Sequence, residues 1–134
     1  MSHRRIMATL SLAVALFGSG CSSVATPSNN QVETFSGIVP LLGVASPPHN
    51  FTTSKNGEFR IRVTSLAPNN AALIGVYLGQ PAGAICSQAG QITTAGINTQ
   101  AMTGSLNKGN YCIGVLDPGT LTVATTYSLE LSHP

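Results

Sequence analysis

The stretch Asn56-Gly57-Glu58-Phe59-Arg60-Ile61-Arg62-Val63-Thr64 decides the fold class. Phe59, Ile61 and Val63 alternate with Glu58, Arg60, Arg62 and Thr64. That period of two sets the apolar side chains on one face of an extended strand. Asn56-Gly57 just ahead is the strongest short hairpin signal, because both residue types tolerate positive φ. The expected hairpin joins a strand starting near Asn50-Phe51-Thr52 to the one starting at Glu58.

Working outward, Leu66-Ala67-Pro68-Asn69-Asn70 breaks the pattern and Ala72 to Gly79 restores a strand. Its inward face is Ile74, Val76 and Leu78, with Tyr77 on the other side. Gln80-Pro81-Ala82-Gly83 is a turn, a weaker strand surrounds Ile85-Cys86, and a loop runs from Ser87 to Asn98. Gln100 to Leu106 reads as a strand that Asn107-Lys108-Gly109-Asn110 turns back. In the next, Tyr111 to Leu116, Tyr111, Ile113 and Val115 share a face and Cys112 takes the opposite one. Asp117-Pro118-Gly119 is a turn in which proline presets φ. The last strand, Thr125 to Ser132, buries Tyr127, Leu129 and Leu131. Short strands at regular spacing make the chain all-β: a small antiparallel β-sandwich, jelly-roll-like.

The N-terminus predicts export. Arg4 and Arg5 precede an apolar run from Ile6 to Phe17, followed by Gly18-Ser19-Gly20-Cys21. This is the layout of a secretory signal helix, and the run is shorter than the roughly 20 residues that cross a bilayer. The ending resembles the lipobox of bacterial lipoproteins, in which the cysteine is lipidated and begins the mature chain. Gly18 stands where that family usually has Leu. Ser23-Val24-Ala25 offers an alternative cut after Ala25. An arginine pair also permits a twin-arginine reading, although the residues after Arg5 match it loosely. Ser22 resembles the pattern of outer-membrane lipoproteins. The expected organisation is a signal peptide over 1–20, a lipidated N-terminus and polar tether over 21–31, and the sandwich over 32–134.

Removing Arg4 and Arg5 from six cations leaves four against four carboxylates. So sparse and balanced a charge offers no footprint for nucleic acid and no acidic cluster for calcium. Of three cysteines, Cys21 goes to the anchor or is discarded with the signal. Cys86 and Cys112 remain as a pair in an oxidising compartment, where a disulfide closing about 26 residues is expected. Neither lies in a CxxC, which argues against redox or zinc chemistry.

Four stretches carry a family resemblance: His49-Asn50-Phe51-Thr52, Asn56-Gly57-Glu58-Phe59-Arg60-Ile61, Gly109-Asn110-Tyr111-Cys112 through Asp117-Pro118-Gly119, and Thr126-Tyr127 through His133-Pro134. Together they resemble the small sandwich modules of the bacterial pre-peptidase C-terminal kind, over about residues 31 to 134. The resemblance implies a jelly-roll accessory module of the sort appended to secreted hydrolases, sometimes binding calcium or polymeric substrate. Here Asp117 is the one acidic residue in a suitable loop, so calcium is not carried over.

Catalysis finds thin material. Beyond the signal the imidazoles are His49 and His133 and the one aspartate is Asp117; a nucleophilic triad needs base, orienter and nucleophile in reach. Paired carboxylates would have to come from Glu33, Glu58, Asp117 and Glu130. No catalytic residue, metal ligand or cofactor is assigned. His49 and His133 could meet on a metal, but two ligands do not make a site; closure of a strand end and a chain terminus account for them. With no Trp, and Tyr111 and Tyr127 inward, Tyr77 is the candidate ligand contact. Arg60 and Arg62 with Glu58 form a charged strip read as solvation and edge protection. The expectation is a non-catalytic envelope lipoprotein, held to the membrane by its lipid and binding an unknown protein or cell-wall partner. The alternative is a carbohydrate-binding module acting beside a separate secreted hydrolase.

Overall fold

A computed structural model describes residues 29–134. The expected signal helix, Cys21, the cut sites and most of the tether lie outside the described residues.

Among the described residues nine strands form two antiparallel sheets: β1 (Gln31–Val39), β2 (His49–Thr53), β3 (Gly57–Ala67), β4 (Ile74–Ala82), β5 (Ile85–Gln88), β6 (Thr93–Ala95), β7 (Gln100–Leu106), β8 (Gly109–Leu116) and β9 (Thr125–His133). Sheet A has the order β1-β9-β3-β7; sheet B has β2-β8-β4-β5, with β6 beside the first half of β4. The chain changes sheet at every connection except those within β4-β5-β6, which is the winding of a jelly roll.

The alternating residues make the core. Phe59, Ile61 and Val63 from β3, Ile74 and Val76 from β4, Ile113 and Val115 from β8, and Leu129 and Leu131 from β9 are all buried between the sheets. Burying each such side chain contributes about 1.5–3 kcal/mol. Their partners on the other faces, Glu58, Arg60 and Arg62, stand in solvent.

Three local expectations are corrected. Asn56-Gly57 is no hairpin: β2 pairs with β8 and β3 with β7 and β9, so the link crosses between sheets. Neither residue adopts the positive φ a primed turn needs; instead Asn56 Oδ1 accepts the Lys108 N–H at 2.8 Å. The charged strip guards no edge, because β3 lies between β9 and β7. The loop from Ser87 to Asn98 contains β6.

β1 is an addition to the expected strands, and pairing begins at Gln31↔His133, one residue before the expected boundary. Its pattern conceals it: Glu33 and Gly37 share the inward side with Phe35, while Val32 and Ile38 are exposed.

Candidate functional site

His49 and His133 point between the sheets. His49 of β2 stacks on Phe35 (centroids 4.9 Å apart), and its Nε2 lies 2.8 Å from the Tyr127 hydroxyl. Burial lowers the His49 pKa and pushes that of Tyr127 up to about 12. His133 is fully buried; its Nε2 sits 2.7 Å from Glu33 Oε1 and its Nδ1–H donates to the Pro134 carbonyl. Each ring is thus committed to its own neighbours, and the two do not converge on a common ligand. Among the described residues no group of three or more His, Cys, Asp and Glu could hold a metal.

Tyr77 is no platform. It lies on the outer face of sheet B, as its place in the alternation requires, yet it is only 7% exposed. Two glycines explain this. Gly114 beneath the ring has no Cβ, and one built there would fall 1.9 Å from Tyr77 Cζ. Gly79 lets β5 curl over β4, since a Cβ there would fall 2.1 Å from the Ser87 carbonyl oxygen. The curl brings Cys86 to Cys112 (Cα–Cα 5.7 Å) as the expected disulfide, which closes over Tyr77. Pairing with a carbonyl completes the cover: the Tyr77 hydroxyl donates to Cys86 O at 3.4 Å.

The exposed feature is elsewhere, in the loop after β1. Leu42 is 86% exposed, with Leu41 and Val44 about half exposed beside it. Its φ is 54°, in the left-handed region. An L-residue other than glycine pays roughly 1–2 kcal/mol there, and an open Leu forgoes about 2 kcal/mol of burial. What holds it is Asp117. Its Oδ2 accepts the Leu42 N–H at 2.8 Å, and its Oδ1 accepts those of Gly119, Thr120 and Leu121. The Leu42 bond is the main reason the carboxyl is held below its ordinary pKa; the other three N–H groups add to it and burial opposes. The Asp117 N–H donates to Gly43 O and the Ala45 N–H to Val115 O, so the loop is fastened at both ends.

This tip is uncharged. Segments 34–54, 63–107 and 118–129 contain no Asp, Glu, Lys or Arg, so Asp117 is the charge nearest Leu42 along the fold and its oxygens are occupied. On the Thr120–Leu121 turn that Asp117 also holds lies a hollow of about 180 Å³ lined by Ala71, Leu73, Thr120, Leu121 and Val123 among others. A second, of about 210 Å³, lies between Val44–Pro48 and exposed Ile85, over Tyr77 and Cys86. The chemistry on offer is apolar contact without electrostatic steering.

Set against known proteins, the chain matches no family model and no curated protein.

The Asp117 turn was legible from Asp-Pro-Gly, and its carboxylate's role follows from the Asx habit of bonding to N–H groups just ahead. Leu42 was not legible: nothing in Pro40-Leu41-Leu42-Gly43 marks a leucine for positive φ.

Proposed function

We propose that this chain is a non-catalytic lipoprotein of the cell envelope, anchored through Cys21, whose sandwich docks by the Leu42 tip into an apolar pocket of another envelope protein. The observation that carries the reading is Leu42 itself. Strained φ and near-complete exposure of a large apolar side chain are both unfavourable, and a hydrogen bond from the Leu42 N–H to the Asp117 carboxylate, itself held by three further N–H groups, maintains them. Strain of this kind concentrates at working sites. Docking would regain about 2 kcal/mol for Leu42 alone.

The position of the tip favours this arrangement. β1 runs about 30 Å along its length, and Gln31 at its start pairs with His133 while Val39 at its end pairs with Thr125, so Leu42 stands at the opposite end of the strand from Gln31. The tip also lacks the cations with which a loop would seek an anionic membrane. The family resemblance to pre-peptidase C-terminal modules agrees with an accessory role, as does an outer-membrane destination read from Ser22.

Affinity capture from crosslinked envelopes tests the reading, with Leu42→Asn against Val32→Asn, an exposed apolar residue on β1. A partner kept by Val32→Asn and lost by Leu42→Asn supports it; equal capture by both refutes it. Mass spectrometry of the mature N-terminus tests the anchor, a diacylated or triacylated Cys21 being the expected species and a chain beginning at Thr26 the contrary one.

A second reading has its own observation. An open groove of about 520 Å³ on sheet B is lined by Asn50, Thr52, Gln80, Pro81 and Asn110 with Phe51. Amides and a hydroxyl without charge suit a neutral glycan. Glycan-array binding abolished by Asn50→Ala or Gln80→Ala would favour this carbohydrate-binding role.

A further inference from the structure

Each sheet of an open sandwich has two lateral edges, and an unguarded edge invites another strand. In sheet A the edges are β1 and β7; in sheet B they are β2 and the β5–β6 side. Three of the four are guarded. β1 carries an inward carboxylate, Glu33, committed to buried His133. β2 has five residues and follows Pro47-Pro48, while β5 has four residues and β6 three. Edge strand β7 has seven residues, Gln100-Ala-Met-Thr-Gly-Ser-Leu106, without charge or proline. A register shift near Ala101 disturbs its start; Met102 to Leu106 pair regularly with Ile61 to Gly57.

We propose that two copies of this chain pair edge to edge through Met102–Leu106 of β7, antiparallel about a twofold axis at Gly104. A second copy is the occupant because the charges on the neighbouring strand complement themselves in that register. Arg60 lies beside Thr103 and Glu58 beside Ser105, on the outer face of sheet A. Setting Gly104 opposite the partner's Gly104 puts Thr103 opposite the partner's Ser105. The outer row then reads Arg60, Thr103, partner's Ser105, partner's Glu58. At about 4.8 Å per strand the end residues are roughly 14 Å apart at Cα; Arg60, whose guanidinium stands 3.9 Å from Glu130 within one chain, turns towards β7 on pairing and with an extended Glu closes the gap over two short side chains. Symmetry makes the contact twice.

The neighbouring registers are disfavoured by the same charges. An axis at Thr103 would align Arg60 with the partner's Arg60, and one at Ser105 would align Glu58 with the partner's Glu58. On the inner face the chosen register sets half-buried Met102 against the partner's Leu106, and both Gly104 residues between the two Phe59 rings. The result is a continuous eight-stranded sheet, within the usual range. It leaves both Leu42 tips uncovered, so it stands or falls apart from the tip reading.

Sedimentation equilibrium of the full chain in density-matched neutral detergent tests the proposal. A monomer–dimer equilibrium is expected, weakened about tenfold by Arg60→Glu or Glu58→Arg, each of which turns two attractive rows into repulsive ones. The double exchange in one chain restores it. Both side chains are solvent-exposed, and unchanged circular dichroism verifies that each variant is folded. A monomer at every attainable concentration, or a dimer indifferent to these exchanges, overturns the proposal.

Discussion

The N–H of Leu42 donates to Oδ2 of Asp117 at 2.8 Å, joining two loops 75 residues apart. Because the folded carboxyl is held below its ordinary value of 3.8, an unfolded chain takes up its proton first as pH falls. The contribution is therefore complete above about pH 4 and is lost as pH falls through the folded value. Asp117→Asn should lower the urea midpoint at pH 7 and remove this acid-dependent part of the decline below pH 4. Superimposable stability profiles for the variant and the native chain would contradict the role assigned to Asp117.

Tyr127 gives the opposite dependence. The unfolded phenol ionises near 10, while the buried one holds its proton to about 12; stability should fall as pH rises from 10 towards 12. His49 acts on the acid side: its lowered pKa makes the fold lose stability as pH falls below 6.5. Absorbance titration of the native chain against a Tyr127→Phe variant should show the Tyr127 phenol ionising together with unfolding. Ionisation of Tyr127 near pH 10 in the folded protein would exclude this environment.

The Cys86–Cys112 bond closes 26 residues, which corresponds to about 3.5 kcal/mol on the chain-entropy model. Replacing both cysteines by alanine should cost about that much in chemical denaturation. It should also open the cover over Tyr77. With no Trp in the chain, tyrosine fluorescence reports this directly: acrylamide quenching should rise in the double variant and fall back in a further Tyr77→Phe change.

Glycines beneath aromatic rings should rank by clearance. Gly114→Ala would place a Cβ 1.9 Å from the Tyr77 ring, and Gly104→Ala one 3.1 Å from Phe59. The first should destabilise by about 2–3 kcal/mol and the second by less than about 1 kcal/mol. Equal costs would mean that the Tyr77 ring shifts freely, contrary to its enclosure.

The sandwich was legible because its central strands alternate cleanly; Phe59, Ile61, Val63, Leu129 and Leu131 are buried as their spacing demands. Cysteine counting led to the disulfide. Topology was not readable from Asn56-Gly57, since turn chemistry describes a local bend and the sheet each strand joins is settled by long-range pairing. β1 escaped because an edge strand needs few inward apolar residues. Tyr77 was assigned to the correct face, but alternation does not register a chain that curls over Gly79 to cover it. Leu42 owes its exposure to an aspartate far along the sequence, a relation no local pattern encodes.

The most direct test of the tip as a docking site is site-specific photocrosslinking in living cells, with a photoreactive residue at position 42 or, as control, at position 32. The account predicts a discrete protein adduct from position 42 that disappears when Asp117→Asn loosens the loop, and no such adduct from position 32. The same adducts from both positions, or none from position 42, would contradict it.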